Sequence, residues 1–405
     1  GSENSVLHVV DLATGKETGD VIERAKYGSP SWLPDNRLVY SRLQQLAADS
    51  PVTDRYQNQR VYVHKLGTTA DQDVALLGAK IGTITNIAPT ELVFAFNPVG
   101  SRYLIGTVVN GVQREIKFYA VPLAALAGAD TPWKQVTATT DDVTDGAIIG
   151  DNAYLITHKD AARFKVLKVS LANPDLAHAE VVLPASESVI TGVAAAKDAL
   201  YVRRMNAGIS ELMRVGYAQG AKAQKLRLPF DGDIDSIASD PRRPGLAFYM
   251  GGWTKLGGWY AYDPRTGKVA DTRLQPSGPY DNPTDLVSTE VKARAADGTL
   301  IPMSIVHKRG IKLDGSNPTI LYGYGAYGIS QTPFYRPTFL PWFERGGVFA
   351  VAHVRGGGEF GEDWYKAGYK ATKPNTWRDA IACAEWLVAN KYTSASKMAI
   401  MGGSA

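Results

Sequence analysis

The 405-residue sequence holds a single cysteine, Cys383. No disulfide can form within the chain, and a zinc site built from four cysteines is excluded. Cys383 lies in a helical pattern and reads as a small buried apolar side chain rather than a reactive thiol. Long apolar runs are also lacking. Nothing approaches the roughly 18 consecutive apolar residues of a membrane-spanning helix, so no membrane partner is expected. Charge of one sign is lacking too: Lys and Arg number 44 against 40 Asp and Glu, a net charge of only +4. With no run of basic residues either, nucleic acid is not expected as a partner. The opening Gly-Ser-Glu-Asn-Ser-Val carries no signal-peptide pattern, and one cysteine suits a cytoplasm and a periplasm equally. The six histidines and the carboxylates show no metal-ligand spacing, so no metal is expected.

What is present is enough apolar residue for a sizeable core: 44% apolar against 21% charged. At roughly 100–200 residues per domain, the length allows two to four domains. Forty glycines and 22 prolines punctuate short alternating apolar segments, the mark of many short strands. One unit, an apolar strand running into a turn, recurs at Val6, Val61, Ile116, Phe164, Glu211 and Gly258, with intervals of 55, 55, 48, 47 and 47 residues. A second, out-of-phase unit is a polar turn followed by a strand, as at Pro34–Tyr40, Pro98–Leu104, Gly150–Leu155 and Lys197–Val202. Two hairpins per interval fit one four-stranded blade of a β-propeller. A β-sandwich or β-solenoid is the competing architecture. The similar strings Asp11–Lys16 and Asp263–Lys268 read as hairpin turns of a duplicated scaffold, not as sites.

The pattern changes beyond a Pro- and Gly-rich stretch at 270–285. A long hairpin is expected around Asp297-Gly298, returning through Ile301–His307. The apolar strands that follow, Thr319–Tyr322 and Gly347–Val354, each exit into glycines and suit a sheet buried on both faces. A helix should follow, opened by a capping-box-like Thr376-x-x-Asp379 and stopped near Asn390. Trp377, Ile381, Ala384 and Val388 share one face of it. A short strand, Lys397–Met401, then runs into Gly402-Gly403-Ser404-Ala405.

A strand delivering Gly-x-Ser at a point where a helix would begin is the pattern of a nucleophile elbow. Small neighbours leave room for a sharp turn and for a substrate carbonyl. The Ala405 N–H, opening a helix, could donate to a developing oxyanion. A serine hydroxyl needs a base. In this fold the carboxylate and the histidine come after the serine, whereas all six histidines precede Ser404. His307 and His353 sit in strand patterns and read as structural.

Several segments, in order, resemble the prolyl oligopeptidase family of serine peptidases: Ile305–Gly315, Leu321–Gly325, Arg355–Gly361 and Gly402–Ser404. The resemblance is dense over about 290–405 and architectural over 1–262. It implies part of a seven-bladed β-propeller, about five blades over 1–265, plus the N-terminal part of the main segment of an α/β-hydrolase domain over 266–405. The sequence then reads as truncated at both ends, with the triad Asp and His beyond residue 405. The resemblance implies Ser404 as nucleophile, Tyr324 and the Ala405 N–H as oxyanion donors, and Tyr327 as an aromatic lining the pocket before the scissile bond. It implies short peptides as substrates, a monomer, and no cofactor.

Proline-specific members show Gly-Gly-Phe after that tyrosine and Asn after the serine. Here the strings are Gly325-Ala326-Tyr327 and Ser404-Ala405, and Ser-Ala also occurs in oligopeptidase B, which cleaves after basic residues. Cleavage after proline ranks first. Cleavage after basic residues, an acylaminoacyl peptidase or esterase, and a non-enzymatic propeller module with a degenerate hydrolase half remain alternatives.

Overall fold

The computed structural model describes residues 4–82 and 84–404. It divides into two compact units, Gly1–Lys159 with Val166–Val181, and Asp160–Lys165 with Val182–Ala405.

Among the described residues, five four-stranded antiparallel meanders follow one another, preceded by the two-stranded hairpin of Leu7–Asp11 and Lys16–Ile22. The repeat seen in the sequence has a simple structural meaning. Strands Arg60–Lys65, Lys117–Pro122, Lys165–Ser170, Ile209–Val215 and Gly258–Asp263 are each the third strand of their sheet. The out-of-phase unit supplies the second strands: Arg37–Arg42, Tyr103–Val109, Asn152–Thr157, Leu200–Asn206 and Leu246–Gly251. These sheets are propeller blades. A blade has two apolar faces, so neighbouring blades must cover one another. In the first unit, Val39, Val61, Val93, Leu104 and Trp133 share one core. In the second, Tyr201, Leu212, Phe248 and Tyr260 share another.

The two duplicated strings are turns. Asp11 accepts the Ala13 and Thr14 N–H groups on its carboxylate, and the Gly15 N–H on its carbonyl. Asp263 likewise accepts the Arg265 and Gly267 N–H groups.

The second unit continues into a five-stranded mixed sheet. Leu286–Arg294 pairs antiparallel with Leu300–Lys308, around a turn in which Gly298 takes φ 86°. Leu300–Lys308 pairs antiparallel with Val348–Ala352. Val348–Ala352, Thr319–Tyr322 and Met398–Met401 then run parallel, with Thr319–Tyr322 in the middle. One face of the sheet buries Met303, Leu321 and Ala350 against Cys383 and Leu387 of the helix Pro374–Ala389. The other buries Val306, Phe349 and Val351 against Phe343 and against Trp253, from a turn of the fifth blade. This is the α/β-hydrolase part.

The helix departs from the sequence reading in two ways. Its buried face is Thr376, Asp379, Ala382, Cys383 and Leu387, whereas Trp377 and Ile381 are 59% and 57% exposed and Val388 is also exposed. The capping box is absent. The helix opens on Pro374 after Lys373, with no side-chain cap. Thr376 and Asp379 turn inward to serve a distant arginine, so the buried face is the one that carries them and not the one that periodicity assigns. Asn390 does end the helix, as expected.

Candidate active site

Two adjacent parallel strands place the candidate residues at one rim of the sheet. Tyr322 stands opposite Met401, and the Gly323 N–H extends the pairing to the Met401 carbonyl at 3.2 Å. Ligands in such sheets bind beyond the carboxyl ends of the strands. Tyr324 and Tyr327 leave from one of these ends, and Ser404 from the other.

Ser404 is exposed and has φ +68°. That left-handed conformation costs an ordinary L-residue about 1–2 kcal/mol, and such strain persists where surrounding structure enforces it. A Cβ on Gly402 would lie 3.2 Å from the Gly323 carbonyl oxygen, while one on Gly403 would meet nothing. The turn therefore presses against the tyrosine loop on one side and opens on the other. Ala405, the expected oxyanion N–H, lies outside the described residues.

Tyr324 is half-buried, and Tyr327 is exposed at φ +55°. The loop that carries them is held from below. The Gly325 carbonyl accepts a 2.7 Å hydrogen bond from Lys373 Nζ and a long one, 3.5 Å, from Thr376 Oγ1. Gly325 itself has φ +70°, and a Cβ there would come within 2.4 Å of Thr376 Cγ2. A Cβ on Gly356 would lie 2.0 Å from the Gly325 oxygen. The Gly328 N–H reaches the Gly356 carbonyl at 3.0 Å. These glycines allow two loops to touch backbone to backbone. Burial pushes the Lys373 ammonium below its usual range.

Arg355 anchors the second of those loops. Its Nε and Nη2 donate to both oxygens of Asp379, its own N–H donates to the same carboxylate, and its Nη1 donates to Asp297 at 2.6 Å. Its carbonyl accepts from Thr376 Oγ1 at 2.7 Å. Hydrogen bonding to two carboxylates, Asp379 foremost, raises the Arg355 pKa, and the Arg355 guanidinium holds Asp297 down at about 2. Sequence reasoning missed Lys373, Thr376, Asp379 and Asp297 as supports of the tyrosine loop. Only the string Arg355-Gly-Gly-Gly marked the region.

Both C-terminal histidines are structural. His307 Nδ1 bonds the Lys308 carbonyl. His353 is buried, with Nε2 2.8 Å from Ser304 Oγ, which in turn donates to Glu290. Cys383 is fully buried, and burial pushes its thiol up to about 12. Among the described residues no group of three or more His, Cys, Asp or Glu could hold a metal, and no helix is long and apolar enough to cross a membrane.

Residues 1–273 match the N-terminal β-propeller domain of prolyl oligopeptidase, and residues 334–405 match the prolyl oligopeptidase family. The prolyl endopeptidase of Elizabethkingia meningoseptica is 29% identical over 411 residues, covering 100% of this chain and 55% of that protein. Protease 2 of Moraxella lacunata is 25% identical, covering 100% and 56%. Among solved structures, one from an analysis of two prolyl endopeptidases has TM-score 0.87 and 27% identity, over 100% of this chain and 58% of that one. Prolyl oligopeptidase B of Galerina marginata, bound to a 35mer hydrolysis and macrocyclization substrate, has TM-score 0.85 and 26% identity, over 99% and 56%. The chain thus spans about half the length of the curated relatives it matches. With a propeller match over its first 273 residues and a second match ending on the Ser404 turn, the chain belongs to the prolyl oligopeptidase family.

Proposed function

We propose that this chain carries the propeller and the nucleophile of a serine peptidase that hydrolyses short peptides through an acyl-enzyme on Ser404. The observation that carries the reading is the left-handed, exposed Ser404, at the exit of a strand parallel to the one that delivers Tyr324. A phenol on a loop fixed from below is a suitable donor to a tetrahedral oxyanion, and the Ala405 N–H is its natural companion. Tyr327 lines the pocket for the residue before the scissile bond. A histidine after Ser404 in sequence takes the serine proton and returns it to the leaving amine, oriented by an aspartate. The hydrolase part begins near residue 266, and the propeller before it restricts access to short peptides.

Cleavage after proline is the first reading, supported by relatives named prolyl endopeptidase. Cleavage after basic residues is the second, supported by the Ser404-Ala405 pair. A fluorophosphonate probe on the full-length protein should label Ser404 and not the Ser404→Ala variant. Failure to label the folded protein would sink the reading. A panel of peptides carrying Pro, Arg or a blocked N-terminus then ranks the specificities.

A further inference from the structure

The first unit contains a cavity of about 520 Å³ that the peptidase chemistry does not use. Its volume lies within the roughly 300–1,000 Å³ of small-ligand sites. Arg24 just after strand Lys16–Ile22, Arg42 at the end of Arg37–Arg42, Arg60 at the start of Arg60–Lys65 and Lys80 just after Val74–Gly78 line its wall, with Asp71 and Asp73 as its acidic members.

The two carboxylates do little to neutralise these four cations. Asp73 gives its oxygens to His64 Nδ1, at 2.9 and 3.0 Å, and to the Tyr40 hydroxyl, at 2.7 Å. Asp71 is 88% exposed and stands 3.5 Å from Arg42. Neutral groups satisfy part of the rest. Arg42 donates to the Glu23 and Ala70 carbonyls, and Arg24 Nη1 to the Gln45 side chain. The Nε–H groups of Arg24 and Arg60 are buried with no partner among the described residues. Burial, and then the like charge of Arg42, press the Arg24 pKa downward.

Arg24 and Arg60 are only half-buried as residues, but a buried Nε–H with no acceptor is costly. Converging like charges add to that cost unless an anion sits among them. Guanidinium forks match the paired oxygens of carboxylates and phosphates.

We propose that this cavity binds a compact anionic group bearing paired oxygens, a phosphate or a carboxylate, through Arg24, Arg42, Arg60 and Lys80. The guanidiniums of Arg24 and Arg60 turn about their terminal torsions to meet it, which gives their idle Nε–H groups a partner.

Calorimetric titration of the full-length protein with inorganic pyrophosphate, and separately with a blocked tri-glutamate peptide, tests this. Saturable binding of at least one probe is expected. Arg24→Met and Arg60→Met should each weaken it by about tenfold, the loss of one charge-assisted fork. Exposed Lys80→Gln should weaken it by about threefold without endangering the fold, and exposed Arg273→Gln should not change it. Tighter pyrophosphate binding assigns the site to a phosphate, and tighter peptide binding to an acidic peptide. Binding of neither probe overturns the proposal, as does binding indifferent to all three cavity variants. Neither result bears on Ser404.

Discussion

Asp379, fully buried on the helix Pro374–Ala389, receives the fork of Arg355: Nη2 at 2.6 Å on one oxygen and Nε at 2.9 Å on the other. The main-chain N–H of Arg355 ends on the same carboxylate. The pair therefore ties a glycine-rich loop to a helix 24 residues further on. Removing one partner strands a charge in the interior, and such losses run to about 3–5 kcal/mol. Asp379→Ala should lower the urea midpoint accordingly, while the paired change Arg355→Met with Asp379→Leu should cost less than either single change. Equal or greater loss in the double variant would contradict this account.

Asp297 gives the same arginine a pH dependence. Its carboxyl, ordinarily near 3.8, sits at about 2 in the folded protein. A group depressed in this way adds stability that is fully present above 3.8 and drains away as pH falls through about 2. Asp297→Asn should flatten the acid limb of the melting-temperature profile between those values and leave the neutral region nearly unchanged. An unaltered acid limb would show that Asp297 does not contribute.

Lys373 holds the carbonyl that follows Tyr324 by one residue. If the phenol stabilises the oxyanion, Lys373 is a positioning residue for it. Lys373→Met should reduce kcat by about tenfold with KM nearly constant, as expected for loss of orientation at the reacting centre. Lys373→Arg should recover part of the rate. On a Tyr324→Phe background the Met substitution should have little further effect. Additive losses would place Lys373 outside the tyrosine's action.

Two glycines near the site should respond in opposite ways. Gly356 has φ +98°, and a Cβ there would meet the Gly325 oxygen at 2.0 Å. Gly356→Ala must displace the tyrosine loop, and it should cost well over about 1 kcal/mol. Gly403 has open space at its Cβ position, so Gly403→Ala should leave the melting temperature close to that of the parent. Scanning calorimetry on both variants decides.

Much of the architecture was legible because it repeats. A blade's third strand recurs at a nearly fixed interval, so the starts at Val61, Ile116, Phe164, Glu211 and Gly258 all fall at or within two residues of the strands observed. The turn at Ser404 was legible because a left-handed position after a strand favours small neighbours, and Gly402-Gly403 supplies them. The helix face was not. Trp377, Ile381 and Val388 have the right spacing for a core, but Arg355 draws Thr376 and Asp379 inward from the neighbouring face. No periodicity within the helix encodes a partner 21 or 24 residues away. Lys373 and Asp297 look like ordinary surface polar residues in the sequence. Their meaning comes only from contacts across 48 and 58 positions.

The parallel pairing of Thr319–Tyr322 with Met398–Met401 also works as a ruler. Each step along a strand is about 3.3 Å, close to the full length of a hydrogen bond. Sliding one strand past the other by a single residue would turn every side chain to the opposite face and shift Ser404 by one step relative to Tyr324. The spacing between Ser404 and Tyr324 is thus inherited from hydrogen bonds a few residues behind them, and repacking that seam would change it without altering either residue.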